Sequence, residues 1–148
     1  MQLREIMTAG VVTAEESSDV LEVARLMRDR GVGSVVICDP EGQPVAMITD
    51  RDVAVRVAAD DRSMSEPAGS HASRPLITGE PDMDVEEAAA TMVQHHIRRL
   101  PVLEHGDLVG IVTIDDIAVR TGNLAVAQRM TAQVIEGALP EFFFHERG

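Results

Sequence analysis

Two short segments carry the residue types that could do chemistry. Thr49 and Asp52 stand three apart, and so do Thr113 and Asp116. Each Thr follows an apolar run, at 45–48 or 108–112. A strand ending and a helix beginning at the Thr would turn backbone N–H groups and the positive helix end toward a ligand. The hydroxyl could bond a sugar or phosphate oxygen. The carboxylate could accept from both vicinal hydroxyls of a ribose, which favours ribonucleosides over deoxy forms. The same spacing also makes a capping box, with Thr as N-cap and Asp returning the bond. Spacing alone leaves both readings open.

Other chemistry finds little support. Cys38 lies in the apolar run SVVIC and reads as a small buried hydrophobe. One cysteine excludes an intrachain disulfide framework and fits a reducing compartment. His95, His96 and His105 have no metal-ligand spacing with Cys38, so no metal site is expected. Ser17, Ser18 and the histidines form no nucleophile–base pattern, and no catalytic residue is expected. All thirteen cationic side chains are Arg, which suits bidentate contact with phosphate or carboxylate.

The elements that would position these residues occur twice. DVLEVARLM from Asp19 matches DVEEAAATM from Asp84 at a spacing of 65. GQPVAMITDRDVAVR from Gly42 matches GDLVGIVTIDDIAVR from Gly106 at 64, after one deletion in the connecting turn. Each repeat begins with a short strand, at 11–13 or 76–78. A helix then opens at a capping box, Asp19/Glu22 or Asp84/Glu87, with Gly31 as the stop for the first. Strands at 35–38 and 100–103 follow, then hairpin turns, then the apolar runs leading to the two Thr residues. The pattern is β-α-β-β-α, used twice. Near-continuous apolar strands covered by helices make an α+β arrangement, and the two repeats are expected to pack about a pseudo-twofold axis. Residues 1–58 are the first repeat, 59–75 a Ser/Pro/Asp-rich surface linker and 76–120 the second repeat. Residues 121–148 carry an extra helix, through Leu124, Met130, Val134 and Ile135, and the aromatic cluster Phe142–Phe144.

The chain has 148 residues, 45% hydrophobic, with 13 Arg against 25 acidic side chains and a formal charge of −12. That charge disfavours nucleic acid and anionic membrane surfaces. No apolar run reaches the roughly 18 residues of a membrane span, and MQLREIMTAG lacks a signal-peptide core. A cytoplasmic location is expected.

The tandem units, with AMITDRD at 46–52, GIVTIDD at 110–116 and IRRLPV at 97–102, resemble a pair of CBS (cystathionine β-synthase) domains over residues 1–120. The family's ligand signature resembles Gly-hydrophobic-hydrophobic-Thr-x-x-Asp. It is complete at Gly110–Asp116, and Ala46 replaces the Gly in the first repeat. The resemblance implies sites assembled from both repeats. One would hold Asp116, Thr113 and Ile111 with Val12, Val32 and Gly33. The other would hold Asp52, Thr49 and Met47 with Ile77, Ile97, Arg98 and Arg99. Arg51, Arg98 and Arg99 then suit the Asp52 site to a phosphorylated ligand, whereas Asp115 would repel a phosphate at the Asp116 site. The resemblance further implies a free-standing, non-enzymatic regulatory module. It would bind AMP, ADP, ATP or S-adenosylmethionine as regulatory ligand, form a homodimer and act on a protein partner. The alternative is a ligand-free dimerisation scaffold.

Overall fold

The computed structural model describes residues 1–122, 125, 128, 129 and 131–133. The elements are β1 (Thr13–Glu15), α1 (Val20–Arg30), β2 (Ser34–Cys38), β3 (Pro44–Thr49), α2 (Asp50–Asp52), α3 (Val85–His95), β4 (Arg99–Glu104), β5 (Asp107–Thr113) and α4 (Ile114–Thr121). The short α2 runs on into a π-helical turn, Val53–Ala58, closed by the Ala59 N–H on the Ala54 carbonyl at 2.9 Å. The result is the expected α+β arrangement of two repeats. Residues 125, 128, 129 and 131–133 are helical. Leu124, Met130, Val134, Ile135 and Phe142–Phe144 lie outside the described residues.

The chain forms two compact units. One holds Gly10–Leu76 with His105–Leu108, and the other Met1–Ala9, Ile77–Glu104 and the described residues from Val109 onward. Each unit is therefore completed by an arm that precedes the other repeat in the sequence. Residues 1–9 belong with the second repeat: the Leu3 N–H donates to the Met83 carbonyl at 2.9 Å and the Val85 N–H to the Met1 carbonyl at 2.9 Å. Residues 63–73 belong with the first: the Val20 N–H donates to the Glu66 carbonyl at 3.0 Å and the Ala68 N–H to the Ser18 carbonyl at 2.7 Å. The segment expected as a surface linker thus contains buried residues, Ala68 and His71. Its backbone bonds run from the start of α1 to β3.

These arms also explain a departure from the expected capping boxes. Asp19 and Asp84 are the N-caps of α1 and α3, yet neither side chain caps. The first N–H groups of α1 are taken by the Glu66 and Met64 carbonyls, and the first of α3 by the Met1 carbonyl. Gly31 closes α1 in the left-handed region at φ 64°. His96 closes α3 at φ 54°, where a side chain is less favoured.

In the first unit the sheet order is β1-β2-β3, with β1 parallel and β3 antiparallel to β2. Strand β1 begins two residues later than expected. In the second unit β4 and β5 pair, but the expected strand at 76–78 is reduced to a parallel bridge of Gly79 with Val102. The cause is Pro101. Its counterpart at a spacing of 65 is Val36, whose N–H donates to the Val12 carbonyl at 3.1 Å. Proline has no N–H to make that rung.

Each unit has its own apolar core. Val23, Met27, Val35, Ile37, Ala46, Ile48 and Ala68 form the first. The second contains Leu3, Ile6, Ala88, Met92, Leu100, Val112 and Ile117. The arm thus supplies Leu3 and Ile6 to one core and Ala68 to the other. Ala46, the departure from the family's Gly, is fully buried, and Ala72 packs against the same cluster. In the second repeat Gly110 faces Met7, the arm counterpart of Ala72. A Cβ at Gly110 would meet Met7 Sδ at 2.7 Å and Cγ at 2.9 Å. Small-with-small in one unit and glycine-with-methionine in the other are two solutions to the same packing problem.

Candidate functional site

The strand-to-helix junctions place the two Thr–Asp pairs in one geometry. The N-cap residues Thr49 and Thr113 are extended, at φ −111° and −112°. Thr49 Oγ1 accepts from the Asp52 N–H at 3.1 Å, and Asp52 Oδ2 accepts from the Thr49 N–H at 2.9 Å. Thr113 and Asp116 repeat this at 3.0 and 2.9 Å. Both capping boxes are closed. Each uses only one carboxylate oxygen, and a carboxylate offers about four lone-pair sites. Asp52 Oδ1 lies 3.7 Å from Arg56 Nε.

The expectation of several free N–H groups at these helix starts is not met. The Asp50 N–H donates to the Gly33 carbonyl at 3.0 Å and the Arg51 N–H to Asp50 Oδ1 at 2.9 Å. With Asp52 N–H on Thr49, the first three donors of α2 are engaged. In the second repeat the Ile114 N–H donates to the Arg98 carbonyl at 3.2 Å. At α4 the Asp116 N–H is likewise engaged, by Thr113 Oγ1.

Those bonds also show which predicted residues come together within a unit. In the first unit the Gly33 carbonyl meets the Asp50 amide, Ser34 pairs with Thr49 across β2 and β3, and Val12 and Val32 pack on the same core. Arg51 is exposed on α2. In the second unit Arg98 lies beside the start of α4, Arg99 opens β4, and Ile77 and Ile97 pack on the second core. Each helix–strand junction therefore stands beside the Thr-x-x-Asp of its own repeat. Within the second unit the Arg98 carbonyl meets the first amide of the helix that carries Asp116.

Sequence reasoning missed the backbone partners of two candidate residues. Met47 exchanges both backbone bonds with Ser73, at 3.2 and 2.8 Å, and Ile111 does the same with Thr8, at 3.0 Å each. Thr8 and Ser73 are different residue types that occupy equivalent positions at a spacing of 65 and share only a hydroxyl, a weak signal. Elsewhere, burial and the neighbouring Asp39 raise the Cys38 thiol pKa, which suits an inert side chain. A groove of about 450 Å³ between β1 and α1, lined by Thr13, Glu15, Glu22, Arg25 and Asp29 among others, includes none of the candidate residues. Among the described residues no three His, Cys, Asp or Glu side chains are grouped as for a metal, and no helix is long and apolar enough to cross a membrane.

A family model described as CBS domain matches residues 3–59 and 68–120. The CBS domain-containing protein YhcV of Bacillus subtilis is 38% identical over 117 residues, 79% of this chain and 83% of that protein. Of three archaeal relatives also matched, the chain spans 59%, 40% and 31%. Among solved structures, CBS domain protein PAE2072 from Pyrobaculum aerophilum, complexed with AMP, is 29% identical with a TM-score of 0.78, over 86% of this chain and 99% of that one. The CBS domain pair of protein MJ0100, in complex with 5′-methylthioadenosine and S-adenosyl-L-methionine, is 26% identical with a TM-score of 0.74, over 84% of this chain and 98% of that one. The duplicated units, their Thr-capped helices and these matches together show that the chain belongs to the CBS domain family and carries two of its repeats.

Proposed function

We propose that this chain is a cytoplasmic, non-catalytic regulatory module that binds an adenine nucleotide or related adenosyl ligand. Binding would change the geometry of its repeats or of a homodimer, and a protein partner would respond. The observation that carries the reading is the duplicated Thr-x-x-Asp. In each repeat a half-buried carboxylate keeps one oxygen outside the cap, beside a strand end of its own unit. The AMP and adenosyl complexes of the related proteins support the ligand class. The proposed ribose ligands are Asp52 with Thr49 and Asp116 with Thr113. Met47, Val12, Val32, Gly33, Ile111, Ile77 and Ile97 would supply apolar and main-chain walls. Arg51 serves Asp52. Arg98 and Arg99 are the further proposed phosphate partners. The homodimer is proposed on the family membership.

The closed capping boxes favour a second reading, a scaffold in which both carboxylates only finish their helices. Thermal unfolding with AMP, ADP, ATP and S-adenosylmethionine separates the two. A ligand at ten times its Kd should add about 1.4 kcal/mol of stability, and the Asp52→Ala/Asp116→Ala chain should show no increment. Unchanged melting of the natural chain with all four would leave the scaffold reading.

A further inference from the structure

We propose that Arg56 is a positioning residue that ties Asp52 to the arm at 66–73 and lets go of that arm when a vicinal diol engages Asp52. The inference rests on the nucleoside-binding reading above. Asp52 Oδ2 already accepts from the Thr49 amide, so Oδ1 is the less committed oxygen of the pair that a diol would engage. That oxygen faces Arg56 Nε at 3.7 Å. The same guanidinium donates through Nη1 to the His71 carbonyl at 3.3 Å. His71 is a fixed point in the arm: it is only 8% exposed, and its ring Nε2 lies 3.3 Å from Glu66 Oε1. Glu66 is held ionised by Arg62, whose hydrogen bonds lower its carboxyl pKa to about 2. One guanidinium thus spans the candidate ribose carboxylate and the arm.

Among the described residues the second repeat shows no such span. Arg56 sits on the π-helical turn that follows Asp52. Its counterpart Arg120 lies on the regular α4 and, among the described residues, makes no ion pair with Asp116. A π turn inside a helix commonly accompanies a functional position. A diol donating to both Asp52 oxygens competes with Arg56 for Oδ1. The displaced guanidinium swings toward solvent or the ligand's own anion, and the His71 carbonyl loses its charged donor. Occupancy of Asp52 would therefore be reported by the arm at 66–73, whereas occupancy of Asp116 would not be reported by residues 1–9.

Amide hydrogen exchange on the full chain tests this, with adenosine and AMP as probes. The Asp116→Asn background leaves Asp52 as the carboxylate under test. Either probe should raise the melting temperature and speed exchange at residues 68–73 about tenfold, the loss of one charge-assisted hydrogen bond, with residues 1–9 unchanged. Adding Arg56→Gln should give the faster exchange without ligand. The probe should then add no further acceleration while still raising the melting temperature. A purely structural Arg56 would leave the ligand-dependent increment in place. A raised melting temperature with unchanged arm exchange overturns the proposal alone. So does ligand-free Arg56→Gln exchanging like its parent, or stabilisation seen in the natural chain but lost in Asp116→Asn. No stabilisation of the natural chain by either probe overturns both the proposal and the binding reading.

Discussion

Removing residues 1–8 is expected to unfold the second repeat. The arm buries Leu3 and Ile6 fully in that core and takes the first N–H of α3 on the Met1 carbonyl. Truncating a buried Leu or Ile to Ala costs about 2–5 kcal/mol each, and losing both with their backbone bonds rivals the whole stability of a typical domain, about 5–15 kcal/mol. Hydrogen exchange should show α3, β4 and β5 unprotected in the truncated chain. The milder Leu3→Ala should lower the unfolding free energy by about 2–5 kcal/mol in denaturant titration. Native protection of β4 and β5 without the arm would contradict the swapped assembly.

The second large effect concerns the glycine of the ligand signature. Gly110→Ala should destabilise the chain by up to about 3 kcal/mol, because the new methyl has no room beside Met7. Met7→Ala should itself cost stability by opening a void. The double substitution recreates the Ala46–Ala72 arrangement of the first unit, so it should be more stable than the sum of the single changes requires. A double-mutant cycle in urea measures this coupling, expected at about 1–3 kcal/mol and stabilising. Strict additivity would mean that the signature Gly answers to something other than the arm, such as a ligand approaching its backbone.

Much of this architecture is legible in the residues. The turn at Asp39 reads correctly, since Asp39 Oδ1 accepts from the Glu41 and Gln43 amides and Gly42 adopts φ 82°. Gly31 stops α1, and Thr49 and Thr113 start their helices where their spacing predicts. These features are local, carried by side chains within a few residues of one another. The arms are different. LREIMT and AGSHAS share no residue type at equivalent positions, and their likeness lies in backbone bonds made to distant segments. Once those carbonyls reach α1 and α3, the Asp19 and Asp84 side chains are no longer needed as caps. The π turn after Asp52 is equally hidden, because the matching AVR in the second repeat continues as a regular helix. Arg98 illustrates the limit for the site. Its residue type suggests phosphate, but only the bond from Ile114 to its carbonyl shows which helix it adjoins.

Both readings of the paired carboxylates predict a stable protein, and only one predicts discrimination at a sugar hydroxyl. Calorimetric titration of the natural chain with AMP and with 2′-deoxy-AMP compares ligands that differ by one oxygen. Loss of a hydrogen bond to a charged group is worth about 1.5–3 kcal/mol, so the deoxy form should bind roughly 10- to 100-fold more weakly. Equal affinities for the two would contradict a diol held by Asp52 or Asp116.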